Sequence, residues 1–539
     1  MGWTSRAERW RATSPQVTVL KRPAARKASR PVFRRTGVLL RTEKRRVARI
    51  ASWQVPRRPA SATHRSRSFA AGELRPGPYD YATAMDDWAP EQRRALAEEV
   101  PGSMVHLQEV IGRGIDVTTH YSGTGAAEMA CAAIAPGQVK FHGACDFNPT
   151  CRKVLMHHGA ESAAEHVTTD LCDRPPPHIL EELRAELRTH QDKLGAPSRA
   201  STPSRSPERE VVKAIGLQWV AAAMRILSQW VPAREDGAYC CRHLRHCPTF
   251  PPRSKRFHLE IDGINCQPWP VQGRALGWLD ERSIPCLILV QTILSIEPDA
   301  VCIECTPRFD FATLQNLLPT YRGDWAITCP TDFGRPVARQ RMYMWFDRRA
   351  SLRRVHAEVS GILDVSRRTV RVEAGIFLQA SQAEIRREYP PWAISRRPVL
   401  RRLAGKQLAP AIPVCRLLAG GMHKRYMQHR DKVAKVRRSS DACFLVDINQ
   451  AAAWAGRADC RKVPTLLRSS KLVAVFESPE KDRLLLPSEV PAVHGLRLPA
   501  QAMAMLTPRE VCSMIGNSMH VAQIGCFLVY ALSTRSYVL

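Results

Sequence analysis

Cys266 and Glu304 are the two residues whose types and positions in this sequence best suit covalent chemistry. Each follows an apolar, β-branched run, and 38 residues separate them. A thiol can act as a nucleophile and a carboxylic acid as a proton donor, so the two could serve one pocket. By itself the pair says little, because the chain has 17 cysteines and most buried cysteines behave as small apolar side chains. The glycine, glutamine and proline residues near Cys266 favour a loop over a core position.

A glycine-containing segment upstream predicts a cofactor loop. Residues 121–125 follow an apolar run and precede a helical pattern. The glycines let the backbone turn sharply towards a ligand, and the helix N-terminus offers free N–H groups. Acids at the ends of the next two predicted strands could bind ribose hydroxyls, and an aromatic ring could cover an adenine. An adenosine cofactor is therefore predicted, whereas a dinucleotide or a P-loop triphosphate is disfavoured because a third glycine and a basic loop are missing. The predicted cofactor residues are Tyr121, Ser122, Gly123, Thr124, Gly125, Asp146, Phe147 and Asp170.

The elements that must position these residues alternate between strand and helix. Strands are predicted at 115–121 and 139–145, helices at 128–134 and 149–158, and further apolar runs at 259–261, 286–296 and 300–303. This alternation predicts an α/β fold with a mostly parallel sheet and helices on both faces. Beyond about residue 350, arginine-rich segments with less regular periodicity predict a second, smaller domain.

The charge of the chain is strongly basic and unevenly distributed. The chain of 539 residues has 80 Lys and Arg against 50 Asp and Glu, a net charge of +30. Residues 1–75 carry 20 Lys and Arg and 3 Glu, or +17, which leaves +13 for the rest. A nucleic-acid partner is the expectation from this balance, and the tail is expected to be disordered. Irregularly spaced cysteines and the lack of a secretory h-region predict reduced thiols and a nuclear location, with organelle targeting by the Arg-rich tail left open.

One stretch near the C-terminus is apolar enough to raise the question of a membrane. Residues 511–534 contain no Asp, Glu, Lys or Arg. Asn517, Ser518, His520 and Gln523 interrupt the run, so we predict a buried helix and no membrane partner.

A predicted insertion at about 174–257 contains a group of cysteines and histidines. Cys241, His243, His246 and Cys247 lie close enough together in the chain to be considered as zinc ligands. Their spacing fits no common zinc finger, so the prediction is a basic, thiol-bearing loop without a metal.

Six segments, taken in their order along the chain, resemble the cytosine-5 DNA methyltransferases. The resemblance covers most of residues 111–350 and 440–530, and the chain looks like a divergent, protist-type member of that family. The matching segments are the loop 121–125, the strand ends 144–148 and 169–171, the cysteine loop 266–269 with 272–273 and 280–283, Glu304, the Arg-x-Arg pair Arg339 and Arg341, and the Gly-Asn motif 515–519.

The resemblance implies a Rossmann-like methyltransferase domain that uses S-adenosyl-L-methionine, methylates carbon 5 of cytosine in DNA and flips the target base. In that family pattern, Cys266 adds to carbon 6 of the base and Glu304 protonates or hydrogen-bonds ring nitrogen 3. Arg341 would hold the carbonyl oxygen of the base and Arg339 the loop. Asn517 and Ser518 would lie at the cofactor site. RNA is the lesser alternative substrate, and a catalytically silent nucleic-acid-binding relative is the alternative class.

The sequence departs from the family pattern at several loop positions. Asn265 stands where a proline usually precedes the cysteine, Cys305 and Thr306 follow Glu304 in place of Asn-Val, and Val337 replaces a glutamine. Pro270 replaces a small polar residue. A second Pro-Cys pair, at Cys286, lies in an apolar run that predicts a buried, protonated thiol.

The resemblance also divides the chain. Residues 1–75 form the tail, 76–350 the catalytic domain, 351–495 an irregular target-recognition domain, and 496–539 a segment that returns to the catalytic domain. Five arginine pairs with Tyr389, Trp392 and Tyr426 between them predict a DNA-contacting surface in the third part. Oligomeric state and base preference do not follow from the sequence. The arginine pairs are 353–354, 367–368, 386–387, 396–397 and 401–402.

Overall fold

A computed structural model describes one compact unit of the chain. The described residues are 74–194, 206–269, 275–355, 363–385, 387, 414, 418, 420–437, 439, 442–453, 455 and 458–537. The predicted tail lies outside them except for its last two residues. Pro270, Arg386, Tyr389, Trp392 and the arginine pairs 396–397 and 401–402 also lie outside them.

A nine-stranded sheet forms the centre of the unit. Its order is β6-β5-β4-β3-β2-β7-β8-β10-β9, in which the five middle strands β4, β3, β2, β7 and β8 run parallel. Strands β10 and β9 are antiparallel at one edge, and the hairpin β5–β6 is antiparallel at the other. The predicted mostly parallel sheet is therefore confirmed. The strands are β2 Ile115–His120, β3 Val139–Cys145, β4 His166–Thr168, β5 Gly237–Cys240, β6 Arg245–Pro248, β7 Phe257–Gly263, β8 Ala300–Cys305, β9 Tyr321–Thr328 and β10 Arg341–Arg348, and β1 is the short strand Arg75–Pro76.

Helices cover both faces of this sheet, as the alternating pattern predicts. They are α1 Tyr81–Asp86, α2 Trp88–Glu99, α3 Pro101–Arg113, α4 Ala126–Ile134, α5 Pro149–Met156, α6 Pro177–Asp192, α7 Ser206–Leu227, α8 Ile284–Ile296, α9 Phe311–Leu317, α10 Gly420–Ala434, α11 Val490–Val493, α12 Ala500–Ala504, α13 Pro508–Asn517 and α14 Val521–Ser533. Two apolar clusters, one on each side of the sheet, form the core.

The apolar segment near the C-terminus lies inside this core. By length and composition Pro508–Ser533 could cross a membrane, but 94% of its most apolar window is buried within the protein. Every residue of α14 is buried, as expected for a helix that is apolar on all sides. Gly525 permits this packing, because a Cβ there would lie 2.0 Å from the Trp88 ring.

The insertion at about 174–257 is more regular than a loop. It contributes α6 and α7, which pack against the α8 side of the sheet, and the hairpin β5–β6, which extends the sheet by two strands. Residues 195–205, which hold most of the Ser/Pro-rich break, lie outside the described part.

A smaller three-stranded sheet lies in the region 351–495. Its strands β13 Phe444–Asp447, β14 Leu472–Val475 and β15 Arg483–Leu484 are antiparallel, and α10 shares a separate apolar cluster with them. Two short pairings attach other segments to the body: β1 with β12 Arg368–Thr369, and β11 Leu352–Arg354 with β16 Arg535–Tyr537.

The chain order of the strands reverses between β2 and β7. Strands β3 and β4 extend the sheet on one side of β2, while β7 and β8 extend it on the other. In open α/β sheets, ligands bind outside the carboxyl ends of the strands at such a switch point. The segments that follow β2, β3, β7 and β8 therefore define where a site should lie.

Candidate active site

The predicted cofactor loop turns sharply at the carboxyl end of β2. Tyr121, Gly123 and Gly125 all have positive φ angles, of 53°, 58° and 80°. For Tyr121 this conformation is strained, which is common at functional sites. A Cβ on Gly125 would lie 1.9 Å from the ring of His158, so only glycine fits there. Helix α4 begins directly after this turn, at Ala126.

Asp146 holds this loop in place from the end of β3. Its carboxylate accepts hydrogen bonds from the Gly123 N–H and the Asn148 N–H, both 2.8 Å long. Burial raises the pKa of Asp146, and the two backbone hydrogen bonds oppose that rise. The next side chain, Phe147, is 66% exposed and is free to cover a flat ligand. Asp170 caps a short turn after β4 through the Cys172 N–H (3.0 Å).

The Gly-Asn motif returns to the same loop, as the resemblance implies. Ser518 Oγ lies 2.7 Å from Thr124 Oγ1, and both side chains are buried, whereas Asn517 is exposed. Gly516 is required by packing, since a Cβ there would lie 2.4 Å from the carbonyl carbon of Leu467.

Cys266 lies on a tight turn just beyond β7, and its side chain is exposed. The Gln267 N–H donates to Asn265 Oδ1 (3.0 Å), and the Trp269 N–H donates to the Cys266 carbonyl (3.1 Å). The first bond is an Asx turn, in which an asparagine side chain mimics a backbone turn. Asn265 therefore braces the cysteine turn by hydrogen bonding at the position where the family pattern has a rigid proline.

The base of the cysteine loop is tied down on both sides of residues 270–274, which lie outside the described part. Arg282 forms two hydrogen bonds to Asp280 (2.6 and 2.7 Å) and a third to Gln267. The rings of Trp269, Trp278 and Phe309 pack edge to face, with centroids 4.6–5.8 Å apart. These contacts fix the ends of the loop on the sheet.

Glu304 reaches the same place from the end of β8. In the sheet it pairs with Gly263 on one side and Tyr343 on the other. It is buried, and its Oε1 lies 2.8 Å from Arg341 Nε. A Cβ on Gly263 would lie 3.3 Å from the Tyr121 carbonyl and 3.9 Å from Glu304 Oε2. The cofactor loop and the carboxylate thus both border Gly263.

The charges around Cys266 act on its thiol in opposite directions. The pKa of Cys266 is raised, mainly by desolvation and then by the negative charge of Glu304, while Arg341 and Arg339 lower it. A reactive cysteine needs its thiolate form. Protonation of Glu304 would remove one of the two effects that raise the pKa of Cys266 and so disfavour its thiolate.

Arg339 has a different surrounding from the one the resemblance implies. It is buried, and its Nη1 donates to the carbonyls of Leu466 (3.4 Å) and Gly516 (3.3 Å). Burial, and next the charge of Arg341, lower its pKa to about 10. Arg339 therefore connects the segment 463–470 and α13 to the strand that carries Arg341.

Two other sequence interpretations concern buried side chains. Cys286 is buried in α8, and burial raises its pKa, as predicted for an inert thiol. Val337 forms an isolated β-bridge with Val463 and is fully buried. Its substitution for glutamine is thus accommodated by apolar packing.

Part of the predicted DNA-contacting surface is committed to internal contacts. Arg368 is 3% exposed and bonds to Glu91, so it cannot reach a phosphate. Arg354 and Arg367 pair with Asp324 and Asp364. Tyr426 is fully buried, and its hydroxyl donates to Asp482, so it is a core residue and cannot stack on a base. The assignments of Arg368 and Tyr426 were wrong, because a basic or aromatic residue type does not reveal its exposure.

Several residues that support the site were missed in the sequence. Gln523, noted only as an interruption of an apolar run, donates to the carbonyls of Thr328 (2.8 Å) and Arg339 (3.3 Å). A polar side chain within an apolar helix was the available signal, because buried amides require partners. Asp280 and Arg282 matched a motif, but their contact with Gln267 could not be read from the sequence.

Comparisons with known proteins found similar solved structures at low identity. No protein-family profile and no curated protein matches the sequence. The S. pombe Dnmt2 methyltransferase is 15% identical with a TM-score of 0.36 and covers 77% of this chain and 98% of its own. The Entamoeba histolytica methyltransferase EhMeth is 13% identical with a TM-score of 0.38, and the match covers 77% of this chain and 97% of EhMeth. A mutant of Spodoptera frugiperda DNMT2 is 12% identical with a TM-score of 0.35, and the match covers 78% of this chain and 100% of the mutant. All three of these solved structures are methyltransferases.

Proposed function

We propose that this protein transfers a methyl group from S-adenosyl-L-methionine to carbon 5 of cytosine in DNA, with Cys266 as the nucleophile. One observation carries the proposal. An exposed thiol, a buried carboxylate paired with an arginine, and a glycine turn held by a buried acid converge at the switch point of one sheet. These groups come from four strand ends that are far apart in the sequence.

The residues around the glycine turn fit the cofactor. Tyr121 Oη is buried and has no hydrogen-bond partner among the described residues, so it can bond to a ligand. No side chain of the described residues caps the start of α4, Asp146 and Asp170 offer carboxylates, and Phe147 offers an aromatic face. When bound, the cofactor supplies an electrophilic methyl group on a sulfonium ion.

Cys266 and Glu304 would perform the two linked steps on the base. Cytosine carbon 5 is a poor nucleophile until a thiolate adds to carbon 6 and turns the ring into an enamine. Cys266 Sγ forms the new bond to carbon 6 as the carbon 5–carbon 6 double bond opens, and Glu304 donates a proton to ring nitrogen 3. Carbon 5 then takes the methyl group, and loss of its proton expels the Cys266 thiolate and restores the double bond. Glu304 must be protonated in order to donate to nitrogen 3. In that form it carries no negative charge near Cys266, so the same protonation state favours the Cys266 thiolate.

Arg341 would act as the positioning partner of Glu304 and as the donor to the carbonyl oxygen of the base. Its Nε contacts Glu304 and its Nη1 donates to the Gln340 carbonyl (2.8 Å), which leaves Nη2 to donate to a ligand. The base must leave the duplex to reach a pocket formed by strand ends and a closed turn.

DNA is the proposed partner, and residues 351–495 are the proposed recognition region. The small sheet with α10 has its own apolar cluster, and exposed lysines lie on α10, at Lys424, and directly after it, at Lys435. Lysines on an exposed helix face can neutralise phosphates. A basic protein with many free thiols would act in the nucleus.

Transfer of labelled methyl groups to nucleic acid tests the proposal. Duplex DNA and a folded RNA of equal cytosine content are incubated with the full chain and with Cys266→Ser. We expect label in the DNA, at carbon 5 of cytosine, with the unchanged chain only. Incorporation that survives the substitution, or label confined to the RNA, would overturn the proposal. Cys286→Ser is the matched control, because that thiol is buried and should not matter.

A further inference from the structure

The hairpin β5–β6, at the edge of the main sheet, brings together cysteines and histidines that the proposed methyl transfer does not use. Its register pairs Ala238 with Cys247, Tyr239 with His246 and Cys240 with Arg245. Side chains alternate between the two faces of a strand, and diagonal neighbours on paired strands lie on one face. Cys240 and Cys247 therefore share one face, while Tyr239 and His246 share the other.

The turn of the hairpin adds a third donor to the cysteine face. The Leu244 N–H donates to the Cys240 carbonyl (2.8 Å), and Leu244 adopts a φ of 55°, which is unusual for leucine. This tight turn folds His243 back over the two thiols. Its Nδ1 lies 3.6 Å from Cys240 Sγ and 3.5 Å from Cys247 Sγ.

The neighbouring strand β4 supplies a fourth donor. Thr168 pairs with Cys240, and the Cys241 N–H donates to the Val167 carbonyl (2.7 Å), which fixes the hairpin against β4. His166 lies two residues before Thr168, on the same face, and its Nδ1 is 3.2 Å from His243 Nδ1. The four donor atoms all lie within 4.8 Å of one another.

The distances from His243 Nδ1 to His166 Nδ1, Cys240 Sγ and Cys247 Sγ match those of a tetrahedral zinc site. With Zn–N of about 2.0–2.1 Å and Zn–S of about 2.3 Å, tetrahedral angles place two nitrogens about 3.3 Å apart and a nitrogen and a sulfur about 3.6 Å apart. Two thiols with two imidazoles form a soft donor set, which suits zinc better than magnesium or calcium. Cys240 and Cys247 are buried, whereas His243 is exposed and leaves a route for entry.

We infer that His166, Cys240, His243 and Cys247 bind one zinc ion that fastens the β5–β6 hairpin to β4. All four positions would be filled by protein, so the site is structural. The ion would brace the strand that leads to Asp170, and binding would release protons from the thiols. This set differs from the ligands considered in the sequence, because Cys241 follows the paired strand and His246 points to the opposite face.

Metal analysis of matched variants tests this site independently of methyl transfer. The full chain is purified without chelators and analysed by plasma mass spectrometry. We expect about one zinc per chain, a content near zero for Cys240→Ser and Cys247→Ser, and an unchanged content for the adjacent controls Cys241→Ser and His246→Ala. Zinc absent from the unchanged chain even after incubation with zinc, or lost from the controls instead, would overturn the inference.

An exposed ligand provides a variant that should still fold. His243→Ala alters a surface turn, so its circular dichroism in excess chelator should match that of the unchanged chain. We expect its zinc affinity, measured by competition with a chromogenic chelator, to fall at least about tenfold. Cobalt added to the metal-free unchanged chain should give the visible bands of tetrahedral coordination with thiolate ligands. An unaltered affinity in the folded variant, or an octahedral cobalt spectrum, would contradict the site.

Discussion

Two groups of ionisable side chains occupy neighbouring strands of the same sheet, but only one of them includes a side chain that is exposed to solvent. His120, Glu260 and Asp262 lie within β2 and β7 and are all at most 2% exposed. His120 Nδ1 contacts Glu260 and lies 3.0 Å from Asp262 Oδ1. Only four residues after Asp262, the chain leaves the sheet and Cys266 is exposed.

The difference shows that ionisable side chains within the strands serve the fold, whereas those at the strand ends can act on a ligand. Within the strands, His120, Glu260 and Asp262 affect one another's pKa. Burial and then the charge of Glu260 raise the pKa of Asp262 to about 7. Burial lowers the pKa of His120, but the charge of Glu260 and the hydrogen bonds to Asp262 and Glu260 together raise it above its ordinary value. At the strand ends, Cys266, Glu304 and Arg341 form a similar charge balance, in which Glu304 is buried and the exposed Cys266 is open to a ligand.

Replacing Cys266 by serine should give the largest effect and separate the two groups. We expect methyl transfer to DNA to fall by at least roughly 1000-fold, because serine is a far weaker nucleophile without a base beside it. The thermal midpoint should stay unchanged, since the thiol is exposed. The matched replacement Asp262→Asn should instead retain transfer, and loss of transfer in that variant alone would reverse the assignment of roles.

Replacing Glu304 by glutamine should reduce turnover by about 100-fold or more, the usual range for a lost general acid. Glutamine can still accept a bond from Arg341, so the pocket should keep its shape and its affinity for the cofactor. Single-turnover rates with duplex DNA measure the effect. A variant with full turnover would show that nitrogen 3 receives its proton from another group.

The charges around the thiol predict shifts of opposite sign. Glu304→Gln should lower the pKa of Cys266, because it removes a negative charge, whereas Arg341→Gln should raise it by removing a positive charge. The pH dependence of alkylation, followed on the Cys266 peptide by mass spectrometry, gives both values. Cys286 is the internal control and should remain unmodified. Shifts in the same direction would mean that Cys266 is not placed between these charges.

Two buried carboxyl groups, Asp262 in β7 and Glu128 in α4, predict a dependence of stability on pH. Asp262 and Glu128 both have a pKa raised to about 7, chiefly by burial, so the fold favours their uncharged forms. Their contribution is complete below their ordinary values near 4 and is lost as the pH rises through about 7. We expect the thermal midpoint to fall by roughly a few degrees across that window, and less so in Asp262→Asn. A midpoint that rises from pH 5 to 8 would contradict this assignment.

The sequence predicted the chemistry of the sheet edge better than it predicted exposure. Cys266, Glu304 and the glycine turn could be found because strand ends follow apolar runs and their segments keep a fixed order. Asn265 looked like a weakness in the sequence, yet it forms an Asx turn, which depends on side-chain geometry. Arg368 and Tyr426 were misassigned because their partners, Glu91 and Asp482, are distant in the chain. His166 was missed for the same reason, since 77 residues separate it from His243.

Covalent trapping on a duplex that contains 5-fluorocytosine tests the central claim most directly. The fluorine at carbon 5 prevents release of the enzyme after methyl transfer, so the thiol adduct should persist in denaturing gels. With the cofactor present, we predict a stable complex whose digestion places the modified base on Cys266, and no complex with Cys266→Ser. A complex mapped to another cysteine, or one formed equally well by the serine variant, would contradict the role of Cys266.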